Sequence, residues 1–183
     1  IAPTERAAIF RFQFPQGGDA NLLFDNVDAR AGLMLDSRTH TLHGYTETRS
    51  GLSNGATRMF VYATFDRPWA GSGAIETGRP THYIKFARGG GDEVNMRIAT
   101  SLISVEQARR NLEQEIGAEG FDTVRERAQT AWDALLGRVK VDGASEDQLT
   151  TVYSNLYRLF LYPNIAHENG GRVGRPVWRH GHQ

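Results

Sequence analysis

Between residues 95 and 132 the spacing of apolar side chains changes, and no single regular structure fits both halves of the chain. Ahead of this run, apolar and polar residues alternate, so every second side chain shares a face, as in a half-buried strand. Behind it they recur at three and four, the spacing of a helix with one buried face. Val94, Met96, Ile98 and Leu102 occupy one face of a predicted strand, with Asn95, Arg97 and Ser101 between them. Ser104 with Gln107 then forms a Ser-x-x-Gln capping box, whose hydroxyl and amide satisfy backbone N–H groups that a first helical turn leaves free. Val105, Ala108, Leu112 and Ile116 line one face of the helix that follows. Glu106 with Arg110 and Arg109 with Glu113 support its other face, and Gly117 ends it. Thr123 with Glu126 predicts another capping box, opening a helix through Val124, Ala128, Trp132 and Leu135 to Gly137.

Upstream, the pattern predicts seven or so short strands. Phe10, Phe12 and Phe14 share one face of residues 9–14, with Arg11 and Gln13 on the other, and Pro, Gly and Asp at 15–19 make a turn. Short strands are expected at 21–25 and 32–36, with a wetter one at 39–48 holding His40 and His43 on its solvent face. Residues 50–56 read as a loop and 59–65 as an aromatic-rich strand. Gly and Pro dominate 66–80, which predicts a long connection carrying Trp69. A hairpin is expected from strands at 83–87 and 94–102, turning through Gly89, Gly90 and Gly91. Such spacing is that of an antiparallel sandwich.

Downstream of the two helices, 138–143 reads as a brief extended piece ending in a turn. Ser145 with Gln148 is a third capping box. Its helix carries Leu149, Val152, Tyr153, Leu156 and Phe160 on one broad face, and Pro163 bars its continuation. The glycine-rich remainder, 164–183, is expected to bury little. An amphipathic helix with no partner in sight implies helices elsewhere to cover it.

Three motifs in order carry a resemblance: SLISVEQARRNLEQEI, then a Trp-bearing helix at AWDALLGRVKVDG, then VYSNLYRLFLYPN. Together they resemble the linker region of family 92 of the glycoside hydrolases, the calcium-dependent exo-acting α-mannosidases. The likeness is strongest over 101–164. It implies a fold that is mainly β with C-terminal helices: an antiparallel β-sandwich, a helical linker and an (α/α)6 barrel. On that basis 1–104 is the later part of the sandwich, 105–144 the linker, and 145–183 the truncated start of the barrel. The resemblance further implies a secreted bacterial enzyme and mannose-containing glycans or mannosyl phosphodiesters as substrates. It places calcium in the barrel outside this chain, and makes the rest of the same enzyme this chain's partner. The chain opens on Ile1 rather than Met, so a preceding segment is expected.

The charge balance bears on partners. Lys+Arg and Asp+Glu both number 21, so no net field favours nucleic acid or an acidic membrane. No cysteine is present for disulfides, thiolate chemistry or Cys-based metal sites. No apolar run reaches membrane-spanning length. Inverting glycoside hydrolysis needs two carboxyls with room for a water beside the sugar, and no pair in this sequence is singled out by spacing. No catalytic residue or metal ligand is therefore assigned. Trp178, His180 and His182 are the candidate substrate-binding residues: in the resemblance they fall in the first barrel loop, where an indole can stack on a sugar ring. Trp132 is expected in the core, and Gly89 to Gly91 lack the Lys and Ser/Thr of a phosphate loop. The alternative function is a stand-alone carbohydrate-binding sandwich that uses loop aromatics such as Trp69.

Overall fold

A computed structural model of the chain describes residues 1–26, 30–47, 58–87, 92–161, 167–169 and 176–178. The expected loop at 50–56 and the glycines 89–91 lie outside the described residues. Nine strands form two antiparallel sheets: β1 (Ala2–Pro3), β2 (Ala7–Gln13), β3 (Asn21–Asp25), β4 (Ala31–Asp36), β5 (Thr41–Thr46), β6 (Met59–Phe65), β7 (Trp69–Glu76), β8 (Pro80–Phe86) and β9 (Glu93–Ser101). One sheet has six strands in the order β1-β2-β9-β6-β5-β4, and the other has three, β3-β8-β7. Three helices follow, α1 (Val105–Glu115), α2 (Phe121–Leu136) and α3 (Glu146–Phe160), then the paired strands β10 (His167–Asn169) and β11 (Pro176–Trp178).

The pleat sends alternate side chains to opposite faces, and here both faces of the larger sheet are covered. Phe10, Phe12, Met96 and Ile98 pack with Leu42, Ala63 and Phe65 in the core between the sheets. Phe14, Val94, Ile84, Phe86 and Trp69 continue that core. The other face carries Ala7, Ile9 and Ala99, which meet Leu112 and Ile116 at the end of α1 and Val124 of α2. Val124 is fully buried, which contributes about 1.5–3 kcal/mol relative to an exposed side chain. Arg11, on the face expected to be polar, is exposed, yet its guanidinium lies 4.2 Å from the centroid of the Phe121 ring and pairs with Asp122 at 3.1 Å.

Several expectations need correction. The run 66–80 holds the strand β7, bulged between Trp69 and Gly71, because its glycines make room rather than turns. A Cβ at Gly73 would stand 2.9 Å from the Tyr83 ring on the neighbouring strand. Leu102 lies past the end of β9 and is 45% exposed, whereas Ser101 on the face expected to be polar is buried beneath α1. The α2 helix begins at Phe121, with Gly120 as N-cap and no side-chain cap, rather than at Thr123. The Phe121 ring, anchored against the sheet and under Arg11, sets that earlier start. Gly117 does end α1, at a φ of +55° that favours glycine.

At Ser104 only half of the expected box is made. Its hydroxyl accepts from Gln107 N–H at 3.1 Å, while the Gln107 amide oxygen takes the Arg110 guanidinium. The Ser145–Gln148 box is complete. Residues 138–143 form turns and bends rather than an extended piece, closing on Gly143 at a φ of +74°. His40, at a φ of +54°, is half-buried with its ring 5.6 Å from Trp69, and His43 is half-buried with its charge felt by Glu106 of α1. Neither is a solvent-face residue.

Trp132 is half-buried rather than core, its ring 4.8 Å from Tyr157 of α3. The five apolar residues expected on the broad face of α3 are its half-buried ones, but no residue of α3 is fully buried. Leu159 and Leu161 are 71% and 52% exposed.

Candidate functional site

The structure gathers polar chemistry where the sandwich hands over to the helices. Four side chains form a line there. Arg110 donates to Gln107 Oε1 at 2.8 and 3.2 Å. Gln107 Nε2 donates to Asn111 Oδ1 at 2.9 Å, and Asn111 Nδ2 donates to Glu168 Oε2 at 2.9 Å. Gln107 and Asn111 project from one face of α1, where the helical rise brings i and i+4 together. Glu168 comes from the middle of β10. All three are buried, at 1%, 2% and 7% exposure. Burying polar groups is costly unless they are bonded, and here they are.

The surrounding backbone completes the set. Asn111 Nδ2 also donates to Thr100 O at 2.9 Å, and Leu102 N–H donates to Glu168 Oε1 at 2.9 Å. Ser101 Oγ accepts from Ile103 N–H at 2.9 Å, serving an amide between strand and helix. Within the stretch expected to bury little, Glu168 is thus a buried and bonded carboxylate. Beside this line, Glu106 is held below the usual carboxylate range by its own backbone N–H and the Ser104 hydroxyl, then by the charges of Arg110 and His43.

Trp178 is the last residue of β11, its backbone registered opposite His167, with Glu168 opposite Val177. His180 and His182 lie outside the described residues. Trp69 is not a loop platform for sugar. It is half-buried in β7 against Phe65, 5.6 Å between ring centroids, and its indole N–H is buried with no hydrogen-bond partner among the described residues. An apolar groove of about 350 Å³ separates β1 from α2, between Pro3, Thr4, Arg127, Trp132 and Leu135. Among the described residues no group of three or more His, Cys, Asp or Glu could hold a metal ion. Nor is any described helix long and apolar enough to cross a membrane.

The sequence does not announce Glu168, because its partners are far away in the chain: Asn111 stands 57 positions earlier. The one local signal is a carboxylate in a short polar run directly after an apolar helix.

The described chain is a two-sheet sandwich joined through a buried polar junction to three helices, an architecture it shares with a glycoside hydrolase of known structure. The comparisons agree. The sequence model of the glycosyl hydrolase family 92 N-terminal domain matches residues 1–101, and that of the family 92 catalytic domain matches 107–180. The chain belongs to glycosyl hydrolase family 92. An uncharacterized secreted glycosidase of Arthroderma benhamiae is 27% identical over 215 residues, an alignment covering 96% of this chain and 27% of that protein. The structure of a family 92 inverting mannosidase from Bacteroides thetaiotaomicron superposes with a TM-score of 0.86 at 26% identity, over 96% of this chain and 25% of that one. A family 92 α-mannosidase of the same organism, in complex with mannoimidazole, shares the fold with a TM-score of 0.73 at 21% identity, over 91% of this chain and 24% of that one. The chain thus spans about a quarter of the length of these relatives.

Proposed function

We propose that this chain is the N-terminal sandwich and the first part of the helical domain of a secreted α-mannosidase-like hydrolase. The enzyme would remove terminal mannose from α-mannosides or mannosyl phosphodiesters with inversion, and this portion would be structural and pocket-supporting. The observation that carries the reading is the continuity of the chain across both family 92 domains, with the hydrogen bond from Asn111 Nδ2 to Thr100 O joining their matched segments. The division into a sandwich at 1–104, a linker at 105–144 and a barrel start at 145–183 belongs to the same proposal.

The catalytic acid and base are assigned outside this chain. Inversion needs two carboxyls about 6.5–9.5 Å apart with a water between base and sugar. The carboxylates best held here serve the fold instead: Asp25 binds Arg79, Glu115 binds Thr4, and Glu168 binds amides. Calcium, in this reading, is also bound outside the described residues. The packing of Trp69 leaves the stand-alone binding module without its platform.

The test uses the polypeptide that carries this segment, incubated with aryl α-mannosides and followed by proton NMR. Release of β-mannose as the first product is expected, and chelator should abolish it with restoration by calcium. No release, or release of the α-anomer first, would overturn the proposed reaction.

A further inference from the structure

We infer that Glu168 is a positioning residue, the acceptor end of a polarised hydrogen-bond chain that clasps the β10–β11 hairpin, and with it Trp178, against the sandwich–helix junction. The inference rests on the proposed hydrolase reading and names a determinant of its sugar pocket.

The polarity follows from chemistry. Arg110 can only donate and the Glu168 carboxylate can only accept. Between them stand two amides, Gln107 and Asn111, each able to face either way when alone. With a donor-only cation at one end and an acceptor-only anion at the other, a single orientation satisfies every member: Arg110 to Gln107, Gln107 to Asn111, Asn111 to Glu168. Thr100 O reinforces it, since only the Asn111 NH2 group can serve that carbonyl. The end charges thus fix the rotamers of the buried amides between them, and those amides fix where the carboxylate sits. Two donors from different elements, Leu102 N–H and Asn111 Nδ2, hold the two carboxylate oxygens. This sets both the position and the tilt of β10. Because Glu168 is registered opposite Val177, the neighbouring Trp178 backbone is set with it.

The chain also joins what the family comparison divides. Thr100 belongs to the segment matched by the N-terminal domain, and Asn111 and Glu168 to that matched by the catalytic domain. A segment that presents side chains to substrate is useful only when held to a fraction of an ångström, and a buried, fully bonded carboxylate supplies that constraint.

The experiment is kinetic, on the intact enzyme with an aryl α-mannoside. Glu168→Gln preserves size but exchanges one of the two acceptor oxygens for an NH2 group, so one of Leu102 N–H and Asn111 Nδ2 then faces a donor. It is expected to raise KM about tenfold or more with a smaller change in kcat, as a displaced binding segment would. Glu168→Asp, which keeps an acceptor-only end, should recover part of that loss. Arg110→Gln supplies an end that can donate or accept. In the Glu168→Gln background it lets both amides turn round with loss of only the Asn111–Thr100 bond, so the double variant should be less impaired than the product of the two single effects, although Arg110 and Glu168 do not touch. A folded Glu168→Gln enzyme with wild-type KM, or singles that simply multiply, would overturn the clasp while leaving the hydrolase reading standing. A wild-type enzyme that cleaves no α-mannoside would instead remove the reading on which the clasp depends.

Discussion

Thr4 donates its hydroxyl to Glu115 Oε2 at 2.6 Å, closing a distance of 111 positions between the start of the sandwich and the last turn of α1. The same oxygen accepts Arg6 N–H at 2.8 Å, and Thr4 Oγ1 in turn takes Ala7 N–H at 3.0 Å. Glu115 therefore organises the bend between β1 and β2 on which α2 rests. Glu115→Ala leaves the Arg6 backbone N–H short of this acceptor in a partly buried place, a loss of about 1–3 kcal/mol, while the Thr4 hydroxyl can still donate to Ala7 O at 2.9 Å. Glu115→Gln, which keeps an acceptor, should cost less. Chemical denaturation of both variants checks the order, and equal stability of Glu115→Ala and wild type would refute the role.

The β4–β5 pair depends on two bare backbones. A Cβ on Gly44 would stand 2.2 Å from Gly32 O, a backbone atom with nowhere to go, whereas a Cβ on Gly32 would meet the Tyr45 ring at 2.5 Å. A ring can swing aside; a paired strand cannot. Gly44→Ala should fall at or beyond the upper end of the usual overpacking cost of about 1–3 kcal/mol, with Gly32→Ala milder. Gly71→Ala, where a Cβ meets nothing within 4 Å, serves as the control. Thermal unfolding of the three would contradict this account if Gly44→Ala matched Gly71→Ala.

What was legible in the sequence is what local chemistry decides. The alternation of Phe10, Phe12 and Phe14 found its core, and the Ser145–Gln148 box found its helix. The failures came where a distant partner decides. Trp69 to Glu76 reads as a connection because glycine alone does not announce that a neighbouring Tyr83 needs the room. Thr123 has the right residue three positions on, yet the burial of Phe121 starts the helix sooner. Glu168 looked like part of a glycine-rich tail, since its bonds to Leu102 and Asn111 leave no local pattern.

Asp25 gives the fold an acid-sensitive contact. Arg79 holds its carboxyl with hydrogen bonds of 2.7 and 2.6 Å, and Thr81 adds one of 2.9 Å, so its pKa lies below the ordinary 3.8. A carboxyl whose folded pKa is depressed stabilises the native state above its unfolded pKa, and that contribution is lost as pH falls through the folded value. Asp25→Asn should therefore lower the melting temperature at about pH 7, and the gap from wild type should narrow at about pH 3 and below. A gap that stays constant across this range would show that the charge of Asp25 contributes nothing.

The pocket-facing proposal for the hairpin is most directly exposed at Trp178. Its backbone pairs with His167, one residue from the buried Glu168. Trp178→Ala in the intact enzyme should thus raise KM while leaving the melting temperature close to wild type. Loss of a stacking contact of about 0.5–1.5 kcal/mol corresponds to roughly a two- to twelvefold change. Glu168→Gln should raise KM and also loosen the protein, because it breaks the buried chain itself. His180→Ala and His182→Ala test whether the residues after the hairpin join the same pocket: a KM rise for either places that imidazole with the sugar. If Trp178→Ala turns over α-mannosides with unchanged constants, the hairpin is a brace for the helical domain and does not reach the substrate.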